Sequence, residues 1–396
     1  MDPNKRKALC IALGLALAAV QAAQADEAPK AVRIGWVAAK TGSDAPGAAT
    51  TTLPNYKLWV KEVNAQGGLL LKAYGKRVPI EVVEYDDRSS SEEAVRATER
   101  LITQDQVDFI LPPWGTAINL AVGPTLAKHG YPHLAVTSIT ERAPELAKRW
   151  PNASFFLGMG SQYGEALVGF LEQARKAGKI GERIAMVSVA DGFGVDLSQA
   201  ARKAIEKHGF KLVYDKSYPV GTQDMTPLLN EIKGLNPDVF VAFSYPPDTI
   251  MITDQSRVVG FNPKVFYAGV GTQFPIYKKK FGASVDGVMG PGGVDFDSAV
   301  IQDYFKRHTA ALGQEPDRWA SSVTWASLQV LQQAIERVGK LDRAAVAQEI
   351  KSGSFDTVLG PLKLENQLFK NLWWVGQWQN GEFYGVAPSD KKGAKA

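Results

Sequence analysis

Short apolar runs recur along the chain, and each is followed by a stretch with helical spacing. VRIGWVAA (32–39), PIEVVEYDD (79–87), VDFILPP (107–113) and YPHLAVT (131–137) read as strands. They are rich in Val, Ile, Leu and Phe, as strands covered on both faces must be. Between the first two, a helical stretch reaches about Asn64 and stops at Gly67-Gly68, a favourable helix terminator. Ser89, Ser90 and Ser91 with Glu92 and Glu93 open the next helix as a capping box, and Val95, Leu101 and Ile102 turn inward. The pattern then repeats. A helix over about 162–177 carries Leu167, Phe170, Leu171 and Ala174 on one face. RIAMVSVA (183–190), KLVYDKSYPV (211–220), VFVAFSY (239–245) and KVFYAGV (264–270) are strands, with a helix at 194–209 and another after Asp224. Alternation of this kind leaves one ordinary solution: a parallel sheet with helices on both faces, built twice.

After about residue 273 the chain becomes mostly helical, over 297–313, 318–339 and 342–353. Asn380-Gly381 between apolar runs predicts a hairpin. The tail SDKKGAKA (389–396) reads as disordered. At 396 residues the chain exceeds one ordinary core, so two α/β lobes are expected. A charged fraction of 22% and a net charge of +4, with no basic block longer than the KKK at 278–280, give no reason to expect nucleic acid.

The first 25 residues predict a secretory signal peptide. Lys5, Arg6 and Lys7 form its basic region, LCIALGLALAAV (9–20) its apolar region, and Ala23-Gln24-Ala25 its cleavage site. Cleavage would remove Cys10, the only cysteine, so a cysteine nucleophile or disulfide is not expected in an exported, soluble chain.

In open α/β sheets, ligands sit beyond the carboxyl ends of the strands. The candidates are therefore Lys40–Gly47, Trp114-Gly115-Thr116, Thr137–Thr140, Asp191–Gly194, Ser244–Asp248 and Gly269–Thr272. Gly115 would let a ligand approach the backbone. Thr116 would offer its N–H and hydroxyl at a helix N-terminus, which favours an anion such as a carboxylate. Trp114 would wall the pocket. The competing reading is a tight turn with Thr116 as a plain N-cap. Pro124 predicts that the following helix is short or kinked. Catalytic signatures are missing. GMGSQYG (158–164) has Met159 where a nucleophile elbow needs glycine, and there is no phosphate-binding loop. His129 and His133 stand at i, i+4, but Gly130 and Pro132 lie between them, so surface loop histidines are expected rather than a metal site. No cofactor is expected.

Taken in order, these segments resemble the periplasmic solute-binding proteins of ABC importers, of the leucine/isoleucine/valine-binding type. VRIGWVAAKTG, VNAQGGLL, VEYDDRSSSEEAV, FILPPWGTAINLAVGP, GYPHLAVTSIT and DGFGVDLSQAARKAIEKHG carry the likeness over about 31–388. The resemblance implies two α/β lobes joined by a three-strand hinge with a ligand cleft between them. One lobe would be 27–145 plus 273–357, the other 146–272 plus 358–390. It implies a ligand carboxylate at Thr116 and Gly115, with Thr137 and Ser138 on the same wall and Phe193 and Tyr245 closing from the second lobe. It also implies a periplasmic monomer that serves a permease and an ATPase.

The departures are specific. Ile139 aligns where the family has threonine, with Thr140 one residue on. No acid stands near Gly271-Thr272, where the family places the partner of the ligand's ammonium, and Asp248 is the nearest candidate. The family's first-loop aromatic aligns with Gly47. A buried ammonium without a partner is costly. The ligand is thus expected to be a small carboxylate-bearing solute, an amino acid or, alternatively, an aromatic or other organic acid without the amino group. Two further readings are a secreted hydrolase and a sensor docking on a membrane receptor.

Overall fold

The computed structural model describes residues 27–395. The expected signal peptide, 1–25, lies outside them. Among the described residues no helix is long and apolar enough to cross a membrane.

Two sheets organise the molecule. In the first lobe Val32–Ala38 lies between Ile80–Asp86 and Phe109–Leu111, all parallel. His133–Ala135 pairs with Ala153–Phe155, again parallel. The second lobe holds a seven-stranded sheet. Arg183–Val189, Val239–Phe243, Val265–Gly269 and Met289–Gly290 run parallel through its centre, Lys211–Tyr218 flanks one side, and the hairpin Val375–Gln379/Glu382–Ala387 closes the other. The central strands are buried along their whole length, which is why they appear in sequence as unbroken apolar runs. Asn380 and Gly381 take φ of 53° and 74°, the left-handed pair a two-residue hairpin turn needs.

Strand pairing puts each crossing between lobes later than the boundaries read from sequence. Ala153–Phe155 still pairs with His133–Ala135, so the first crossing follows it rather than coming at 146. Met289–Gly290 bonds to both Val265–Gly269 and Val375–Gln379, so residues 273–290 remain with the second lobe. Tyr277, Phe281 and Val285 there pack with Trp378 and Phe383. Gly360–Lys363 pairs back on Ser354–Thr357, so the last crossing comes after 363 rather than at 358. Met289–Gly290 joins the large sheet, while the other two strands form two-stranded pairs of their own.

Three local readings are corrected. The helix Thr116–Lys128 runs through Pro124, so the proline neither ends nor shortens it. His133 is buried at 3% exposure, with its Nε2 3.0 Å from Asn119 Oδ1, and burial pulls its pKa down to about 4. The tail is not loose. The Lys391 ammonium donates to the Asn371 carbonyl and lies over the Trp373 ring, and Lys395 pairs with Asp297 at 2.9 Å.

Candidate functional site

The strand Phe109–Leu111 ends at two prolines, whose carbonyls accept from the Tyr56 hydroxyl (2.8 Å to Pro112) and the Asn119 amide (2.8 Å to Pro113). The chain then turns at Gly115, whose φ of +91° disfavours any side chain, and helix begins at Thr116. No side chain caps this helix, so Thr116 is its first residue and not its cap. Instead the Thr116 hydroxyl accepts the Ile139 N–H at 3.1 Å, and the Thr137 hydroxyl accepts the Gly115 N–H at 3.1 Å. These two bonds brace the turn against the next strand's end. They also engage the Gly115 donor, leaving the first N–H groups of the helix as the donors for an anion.

Trp114 turns its indole toward the second lobe and is 3% exposed. An ideal Cβ on Gly47 would lie 2.3 Å from Trp114 Cζ2, so the ring occupies space that any larger residue at 47 would claim. Across the cleft, Asp191 caps the helix Gly192–Lys207 through the Gly194 N–H at 3.0 Å. Its other oxygen accepts the Tyr245 hydroxyl at 2.6 Å. This sets Tyr245 stacked on Phe193, centroids 5.1 Å apart, and tilted against Trp114 at 5.6 Å. The lobes are thus in contact through their aromatic rings. The Thr140 hydroxyl donates to Asp196 of the second lobe's helix, and Ser161 N–H donates to Glu141 at 2.7 Å.

Trp114, Gly115, Thr116, Thr137, Phe193 and Tyr245 all line one cavity between the lobes. Its volume is about 20 Å³, room for one or two water molecules. The other four sequence candidates lie around it. Ser138 is fully buried behind the wall and its hydroxyl has no partner. Thr140 belongs to the contact between lobes. Asp248, on the first turn of the helix Pro246–Val258, accepts the Tyr218 hydroxyl at 3.2 Å. Gly271 takes φ of +122°, and a Cβ there would meet Pro246 Cα at 2.9 Å. Ile139, not Thr140, faces the cavity.

Val270, from the candidate segment Gly269–Thr272, also lines the cavity, and sequence reasoning missed Thr51, Leu157, Trp319 and Ala320, which complete the lining. Asp44 lies in the candidate segment Lys40–Gly47 but was not singled out as an acid. A Cβ on Gly115 would lie 3.5 Å from the Asp44 carboxylate. Burial pushes that carboxyl up to about 7. The Ser43 hydroxyl works against the shift, and the charges of Asp87, Asp191 and Asp248 add to it. Burial likewise raises Asp87, to about 6, and Asp248. Asp44 of the first lobe and Asp191 of the second thus stand against lining residues of the cavity, Gly115 and Tyr245, on opposite sides of the cleft. Among the described residues no group of three or more His, Cys, Asp or Glu could hold a metal.

Known proteins share this architecture. The model of the family described as periplasmic binding protein matches residues 31–382. The Leu/Ile/Val-binding protein of Escherichia coli is 24% identical over 76% of this chain and 78% of its own length. Among solved structures, a solute binding protein from R. palustris in complex with benzoate superposes with a TM-score of 0.78 at 20% identity, covering 90% of this chain and 95% of that one. A branched-chain amino acid transporter substrate binding protein from Streptococcus pneumoniae, in complex with isoleucine, gives 0.77 at 20% identity, covering 89% and 98%. With its two lobes and the cleft between them, the chain belongs to the periplasmic binding protein family.

Proposed function

We propose that this chain is the extracytoplasmic solute-binding protein of an ABC importer of the branched-chain amino acid type. It captures a small carboxylate-bearing solute between its lobes. One observation carries the reading: an uncapped helix N-terminus and carboxylates from both lobes stand against one aromatic-walled cavity. A zwitterion matches that arrangement. Its carboxylate would sit at the first turn of the Thr116 helix, and its ammonium would be drawn to Asp44, Asp191 and Asp248. The departure noted at Gly271-Thr272 then ceases to be a lack, because the acid comes from the first loop and not from the last.

The cavity as it stands is too small for leucine, so capture requires the lobes to part and close again, with reopening at the permease releasing the solute. The chain would work in the periplasm as a monomer, beside the permease and ATPase subunits of its transporter. Nothing in the cavity resembles hydrolytic machinery: it lacks a histidine and a free serine, and Thr116 is committed to Ile139. We therefore read the chain as a binder and not an enzyme.

A second reading has its own support. Asp44 can be protonated near neutrality, and the walls are indole, phenyl and phenol rings, which suit an organic acid without an amino group. Calorimetry separates the two. An ammonium-bearing ligand ionises Asp44, releases a proton and binds more tightly as pH rises from 6 to 8. A des-amino acid prefers Asp44 protonated and binds less tightly over the same range. If neither leucine, isoleucine, valine nor benzoate binds at either pH, the cleft is not a carboxylate site.

A further inference from the structure

Trp319 stands between two cavities. It lines the 20 Å³ cleft cavity and also a chamber of about 380 Å³ at the hinge, and no other residue is common to both. The chamber lies between the crossover segments, the Thr357–Gly360 turn and the C-terminal tail. Ile301, Val323, Leu359, Leu372 and Trp373 give it apolar walls, and Asp295, Lys391 and Lys392 bring charge to its lining. The partition is tightly packed, but its one polar side-chain atom is unmatched. Trp319 is 2% exposed, yet its indole N–H has no hydrogen-bond partner. A buried donor without a partner gains free energy when it finds one. The ring lies on Gly292, where a Cβ would come within 2.2 Å of Trp319 Cγ, so a backbone without side chains forms its floor.

We infer that the hinge chamber is a side-chain subsite of the cleft, reached when the Trp319 indole turns aside, and that it selects carboxylate ligands with a longer apolar body than leucine. This rests on the cleft binding a carboxylate at the Thr116 helix. The ligand's body then passes Trp319, and the displaced indole N–H gains an acceptor on the ligand or in solvent. The cleft cavity alone accommodates little, whereas a volume of about 380 Å³ falls within the range of ordinary ligand pockets.

The test is calorimetric titration of the full mature chain with butyrate through octanoate and with their 2-amino counterparts. Burying each added methylene should tighten Kd by about fourfold, and the gain should persist to the longest members. Leu359→Trp, at a half-buried wall position, should collapse the ratio of octanoate-length to butyrate-length affinity. Trp319→Phe, which thins the partition, should raise that ratio. Thermal melting of both variants shows that they fold. Affinity that stops rising at the length of leucine, with the ratio unmoved by either substitution, overturns the subsite while leaving the cleft reading intact. A second, independent binding event for the long members would also overturn it, because the chamber would then be a separate site. Failure of every probe to bind the wild-type chain strikes the cleft reading itself, and the subsite with it.

Discussion

The two walls of the cleft are built on different plans. The first lobe offers backbone and hydroxyls already committed to one another: Gly115 to Thr137, Thr116 to Ile139, Asn119 to the turn's carbonyls. The second lobe offers rings held at one point, with Tyr245 fixed by Asp191 and Phe193 lying on it. The first wall is held rigidly, and on the proposed reading it would meet an anion by position. The second closes over whatever the first has oriented. Preorganisation on one side keeps the ordering cost low, and adaptable aromatic area on the other supplies the burial.

The comparison breaks most severely if the closing wall is removed. Tyr245→Ala loses the stack on Phe193, the contact with Trp114 and the bond to Asp191, and should weaken ligand binding by a hundredfold or more while secondary structure by circular dichroism is retained. An effect under tenfold would show that closure does not depend on this ring. Next comes the rigid wall. Thr116→Val leaves the Ile139 N–H unpaired and loosens the turn, and should cost about 1–3 kcal/mol of binding, roughly tenfold to a hundredfold. Unchanged affinity by titration would remove Thr116 from the site.

Asp44→Asn probes the rim where the two walls meet. The native carboxyl sits near 7, above its unfolded value of 3.8, so its contribution to stability is full below pH 4 and lost as pH rises through 7. The variant should therefore melt a few degrees higher than wild type at pH 8, with the difference vanishing at pH 4, and should weaken amino acid binding. Equal melting curves at pH 8 would place Asp44 in water. The smallest effect belongs to Thr140→Val. Losing its bond to Asp196 should favour the open form and weaken binding a few-fold, visible as a larger radius of gyration in ligand-bound X-ray scattering. A bound form as compact as wild type would make that contact incidental.

The alternation of elements was legible because buried parallel strands cannot hide. Val239–Phe243 is apolar end to end, and its neighbours nearly so. The turn at Trp114–Thr116 was legible for a similar reason, since a strand followed at once by a glycine and a helix has few uses. The crossings were not legible. Met289–Gly290 is two residues long, and its partners lie near 267 and 377, so no local pattern marks it. Trp319 was equally hidden, because it begins a helix that looks like any packing helix until the hinge folds its first turn against the cleft. His133 looked like a loop residue because nothing near it in sequence announces Asn119 as its partner. The acid beside the cavity was hidden for another reason. The resemblance points to an acid near Gly271-Thr272, whereas the carboxylate beside Gly115 belongs to the first loop, and no local pattern there marks Asp44 as buried.

The fit of Trp114 over Gly47 has a bearing on how such a cleft changes its preferences. The Trp114 ring fills the space that a side chain at position 47 would need. Neither position is easily changed alone. A ring at both positions collides, and a ring at neither leaves a hole where the solute should be gripped. A lineage moving the ring between these positions must therefore change both nearly together, or first go through a loosely gripping intermediate that tolerates many solutes. Receptors of this kind would shift specificity in jumps rather than by gradual drift, with residues 47 and 114 inherited as a unit.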